Sequence, residues 1–79
     1  MKHARADYNR IQDPACKIPD GEPVFLIRGQ DKAGPATLRA YASVASKYGA
    51  ADDILAAVLR QADAMEEWQR THNSKVPDL

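Results

Sequence analysis

With Cys16 as its only cysteine, the chain cannot close a disulfide on itself, and a lone thiol fits a reducing compartment. A structural zinc needs about four ligands. Cys16, His3 and His72 are scattered, with no CxxC or HxxxH spacing. No G-x-S-x-G, Walker loop or H-E-x-x-H occurs either, so neither catalysis nor a cofactor is expected. Long apolar runs are also missing. The longest is Val24-Phe25-Leu26-Ile27, against the ~20 residues of a membrane span. No apolar run follows Lys2, Arg5 and Arg10, so a secretory leader is not expected and the expected location is the cytoplasm. There is no excess charge of one sign: 11 Lys and Arg face 11 Asp and Glu. A dedicated nucleic-acid binder is normally net basic, so direct nucleic-acid binding is not expected.

What is present is an ordinary folded composition, 44% hydrophobic and 28% charged over 79 residues, which makes one small domain. A core this small rarely supplies more than roughly 3–5 kcal/mol without a staple. With disulfide and metal set aside, oligomerisation is the remaining source of stability. The balanced charges are segregated. Residues 1–49 hold eight Lys/Arg and five Asp/Glu, and residues 50–79 hold three and six. That pattern fits an acidic helix on one side or a self-complementary oligomer.

The expected class is α+β: a short N-terminal helical or irregular segment, one clear β-strand, and a C-terminal antiparallel helical hairpin. Residues 1–23 read as loop-rich. Ala4, Tyr8 and Ile11 allow a short helix that Asp13-Pro14 would end, and Ile18-Pro19-Asp20-Gly21 is a turn signal. Residues 24–28 read as a strand, bounded by Pro23 and Gly29 and too short for a helix. One strand cannot satisfy its own backbone groups. Its partner is either a poorly marked stretch of residues 1–20 or the same strand in a second copy. The second option makes Val24, Phe25, Leu26 and Ile27 a homodimer interface.

Pro35 suits the first turn of a helix over 35–48, with Leu38, Tyr41, Ala42, Ala45 and Tyr48 on one face and Gly49 as its left-handed stop. A second helix over 52–70 opens on Asp52 as N-cap and Asp53 as a first-turn acid. Ile54, Leu55, Val58, Ala62, Met65 and Trp68 form its stripe. The short link makes the two helices an antiparallel hairpin. Residues 73–79, with Pro77, read as a frayed tail.

Few residues carry candidate chemistry. Cys16 lies in a Pro-rich loop with no adjacent base and reads as an incidental thiol. His3 and His72, near the ends, read as solvated. Asp31 follows the strand, where α/β sites often lie, but capping or turn closure explains it better. Arg5, Arg10, Lys17 and Arg28, with Tyr8, form a basic set whose spacing is irregular and interleaved with Asp7 and Asp13. Asp63, Glu66 and Glu67 share a helix face. Either they form a solvated surface laced by Arg60–Asp63 and Glu66–Arg70 pairs, or Asp63, Glu66, Glu67 and Arg70 are a partner-binding patch for a basic protein groove. Trp68 beside them reads as core rather than anchor.

The segment Ile18-Pro-Asp-Gly-Glu-Pro-Val-Phe-Leu-Ile-Arg-Gly-Gln-Asp31, with the hairpin ending Met65-Glu-Glu-Trp68, resembles small phage- and prophage-encoded proteins of pattern IPxxEPVFLLRxQD…MxxW. The resemblance covers about residues 7–70. It implies a mobile-element protein of the anti-CRISPR kind, cytoplasmic in a host bacterial cell, which inhibits a type I surveillance complex, type I-C in its narrowest form. It would do so by docking on Cascade subunits. It transfers no functional residue. The alternative is a structural or assembly accessory of a phage or gene-transfer particle.

Overall fold

The computed structural model describes residues 2–3 and 13–77, the first two through their backbone alone. Two helices dominate it: α1, Gly34–Lys47, and α2, Asp52–Thr71. Both lie within one residue of the expected ranges at each end. The helical segment considered for the N-terminus falls on 4–12, outside the described residues.

Local chemistry explains the helix limits. Pro35 sits in the first turn of α1, where a missing N–H costs nothing. Asp31 closes the turn leading in. Its Oδ1 accepts the Ala33 N–H at 2.8 Å, and its carbonyl accepts the Gly34 N–H at 2.9 Å. α1 stops in a Schellman turn. The Ala50 N–H donates to the Ala45 carbonyl and the Gly49 N–H to Ser46, both at 3.1 Å, with Gly49 at φ +85°. The chain then runs extended through Ala51, which is the N-cap of α2. Asp52 is therefore not the cap, as expected from sequence, but the first helical residue. It and Asp53 still place negative charge at the positive end of the helix dipole.

The helices pack as an antiparallel hairpin whose interior is thin. Among the described residues Pro35, Ala42, Ala62 and Met65 are buried apolar side chains, and no large side chain is fully buried. Ala42 and Ala62, the latter wholly enclosed, let the helix backbones approach closely. Met65 fills the space beneath Gly29 and Gly34. A Cβ on Gly34 would lie 3.2 Å from the Met65 sulfur and 3.4 Å from Ile27 Cγ2.

The β content is smaller than expected. β1 (Lys2–His3) and β2 (Pro23–Val24) pair in parallel, with Lys2 opposite Pro23 and His3 opposite Val24. Residues 25–28 leave the ladder. The apolar run extends past β2 because Ile27 packs on the hairpin, not because a long strand is buried on both faces. The partner of β2 is thus the N-terminal stretch of the same chain, which removes the unpaired strand that motivated a dimer through Val24, Phe25, Leu26 and Ile27. The fold is mostly helical, with α+β holding only in this minimal sense.

The C-terminal tail is not frayed through Lys75. The Lys32 N–H donates to the Lys75 carbonyl at 2.8 Å and the Lys75 N–H to the Gln30 carbonyl at 2.7 Å, in a parallel bridge. From α2, Gln69 Nε2 donates to the carbonyls of Gly29 (2.9 Å) and Asp31 (2.7 Å). Segment 29–32 is therefore clamped between the last turns of α2 and the tail.

Candidate functional site

Each helix of the hairpin has three lengthwise stripes, set by which residues meet the other helix. The inner seam runs through Leu38, Ala42 and Ala45 on α1 and Leu55, Val58, Ala62, Met65 and Gln69 on α2, all buried or half-buried. These residues are three and four apart, the spacing of packed helices. One residue before each inner position lies a second stripe, turned about 100° to the same side of the hairpin on both helices. It holds Thr37, Tyr41 and Val44 on α1, Tyr48 at its cap, and Ile54, Ala57, Gln61, Ala64 and Trp68 on α2. It contains no charged residue.

This second stripe is open to solvent. Tyr41 is 58% exposed, Tyr48 89%, Ile54 52% and Trp68 49%. Sequence reasoning placed these four in the core. They are apolar and in phase with a helix, but they face a second direction. Between the helices the stripe sinks into an apolar groove of about 500 Å³, floored by Leu38 and Val58 and walled by Ile27, Tyr41 and Ala57. A more polar groove of about 360 Å³ continues it from Gln61 toward Trp68, along Arg28, Gly29 and Gln30. Segment 27–30 thus roofs one end of the stripe and leaves the other end bare.

Trp68 marks the roofed end. Its indole lies within about 4 Å of where a Cβ on Gly29 would sit, and on His72, with ring centroids 3.5 Å apart and planes within 1°. His72 is held by short contacts of Nδ1 to the Trp68 carbonyl (3.0 Å) and Thr71 Oγ1 (2.9 Å). His72 is exposed and also stacks on Trp68.

The opposite flank is charged. One residue after the inner positions lie Arg39 on α1 and Leu59, Asp63, Glu66 and Arg70 on α2. Arg39 crosses between the helices to Asp63 (3.0 Å) and Glu66 (3.1 Å), while Arg70 pairs with Glu67 at 2.6 Å. These replace the Arg60–Asp63 and Glu66–Arg70 pairs expected within α2. Arg39's hydrogen bond, reinforced by its charge, holds the Glu66 carboxyl below the ordinary glutamate value. In return Glu66, then Asp63, raises the Arg39 guanidinium. The groups are solvent-facing, so these pairs are screened and add little stability. Arg39, Asp63, Glu66 and Arg70 balance, and the neighbouring Glu67 adds one negative charge.

Of the remaining candidates, Arg28 lines the second groove, Cys16 lines neither, and Arg5, Tyr8 and Arg10 lie outside the described residues. Cys16 is exposed, at φ +50°, in a turn wrapped around Asp13. The Asp13 carboxylate accepts the Lys17 N–H (3.2 Å) and the Ile18 N–H (2.9 Å). His3 is described through its backbone alone. Among the described residues no group of three His, Cys, Asp or Glu is placed to hold a metal, and no helix is long and apolar enough to cross a membrane. No family model, curated protein or solved structure matches the chain.

Proposed function

We propose that this chain acts by docking on protein, without catalysis, and that the apolar stripe of the hairpin is its principal contact surface. One observation carries this: an uncharged stripe with heptad-like spacing runs along both helices and opens into an apolar groove of about 500 Å³. Contiguous exposed apolar surface of this kind marks interaction sites, and half-exposed aromatic residues such as Tyr41 and Trp68 are the usual anchors.

The biological reading follows from the resemblance of residues 18–31 and 65–68 to phage-encoded proteins. On that reading the chain is an anti-CRISPR-like inhibitor that occupies a type I surveillance complex and blocks its hold on nucleic acid. Asp63, Glu66, Glu67 and Arg70 then face a basic groove of that complex as a secondary contact, weakened because Arg39 already neutralises part of the cluster. The stripe's likeness on the two helices favours a second reading, an assembly accessory of a phage particle that works by self-association.

The deciding experiment mixes the chain with a purified type I-C surveillance complex and follows target-DNA binding by gel shift. Loss of target binding, with co-elution of the chain on gel filtration, supports inhibition. Unchanged target binding without co-elution overturns it and leaves assembly as the better reading.

A further inference from the structure

We infer that the apolar stripe is covered by a second copy of this chain, hairpin against hairpin, giving a four-helix arrangement in which each inner seam becomes one side of a larger shared core. The inference rests on the reading of the stripe as a docking surface and names what docks there.

Four observations point to a second copy. First, each helix has two apolar seams offset by one residue, the pattern of a helix packed between two neighbours. Within the described chain the inner seam has its neighbour and the outer one is roofed by segment 27–30 over part of its length. Second, the stripe residues on the two helices carry no charge, although Arg28 lines the groove beside Trp68, and the small residues Ala57 and Ala64 allow close approach. Third, among the described residues the buried side chains are few and mostly small, Pro35, Ala42, Ala62 and Met65, and a shared core supplies the burial that the single hairpin lacks. Fourth, the face is large enough. α1 and α2 side by side present roughly 20 × 25 Å, or about 500 Å² in projection, and more with side-chain relief. Stable pairs bury about 800 Å² per partner and weak ones less than about 600 Å². With one end roofed by segment 27–30 the open face is smaller still, which suits a weak, reversible dimer.

The charged flank points outward in this arrangement, so Arg39, Asp63 and Glu66 of each copy stay in solvent.

The test is sedimentation velocity on the full chain from about 2 to 200 µM. The expected result is a species of twice the 8.7 kDa chain mass that dissociates on dilution. Ala57→Glu with Ala64→Glu puts two carboxylates into each half of the contact. It should raise the dissociation constant by about 100-fold or more, while helical circular dichroism is kept. Ala40→Glu, on the far side of α1, should leave the dimer intact. If the double variant fails to fold, Gln61→Lys at the centre of the stripe takes its place.

A dimer that survives these stripe variants overturns the inference, because another surface then joins the copies. A monomer at 200 µM also overturns it. In that case the same variants are tested against the surveillance complex. If binding to the complex is lost, the stripe is a docking face for a different protein; if it is kept, the docking reading fails as well.

Discussion

The two flanks of the hairpin are built from the same two helices, one residue to either side of the same inner seam, yet they are opposites. On one flank stand Tyr41, Val44, Ile54 and Trp68, uncharged and exposed. On the other stands Arg39, bridging Asp63 and Glu66 across the helix pair. In a hairpin that only had to fold, both flanks would suit charged residues, as the second one does. The difference teaches that exposure alone does not define this surface. The charged flank pairs its own groups within the chain, and the apolar flank leaves apolar surface in water among the described residues.

Substitutions at increasing distance from the shared core test that contrast. Met65→Ala acts beneath both flanks and has the largest effect. It should cost about 2–4 kcal/mol, read as a lower urea midpoint at every salt concentration, because the small core has little else to close the cavity. Gln69→Leu acts at the inner seam, through the segment that roofs one end of the apolar flank. It takes the Gln69 donor from the carbonyls of Gly29 and Asp31, of which Asp31 keeps the Gly34 N–H, and should cost about 1–2 kcal/mol, with faster amide exchange at Lys32 and Lys75 than in the helices. Equal acceleration in α1 would show that the roof and the hairpin are one unit.

Gly49→Ala strains the turn that sets the helices in register and so loosens both flanks together, by about 1 kcal/mol in thermal unfolding.

Arg39→Met acts on the charged flank alone and has the smallest effect. Glu66 titrates lower in the folded chain than in the unfolded one, so its contribution is present above the unfolded value and fades as pH falls through the folded one. The difference between Arg39 and its variant should appear at neutral pH in low salt and vanish in acid or at about 1 M salt. A variant that changes dimer mass would mean that the flanks are not separate.

Much of this was legible in the sequence, and the illegible parts have physical reasons. Pro35, Gly49 and the apolar period mark the hairpin to within a residue, because these signals act locally. The adjacent apolar pairs Tyr41-Ala42, Ile54-Leu55 and Ala57-Val58 carried the sign of two seams. They merge into one broad stripe until the rotation of each helix is known. Arg39's partners depend on that same rotation and lie 24 and 27 residues away. The partner of the short strand stayed open between residues 1–20 and a second copy because Lys2–His3 has no strand character of its own, and a single bridge at Lys75 leaves no pattern in the tail.

Trp68 is the only tryptophan in the chain, and it sits flat between Gly29 and His72 at the end of the apolar stripe. All indole emission from the unmodified protein therefore comes from one address. Covering the stripe should shift that emission to the blue, releasing segment 29–32 should shift it to the red, and events on the Arg39 flank should leave it in place. A spectrofluorimeter can thus tell which side of the molecule a ligand, a partner or a second copy has touched, with no label attached.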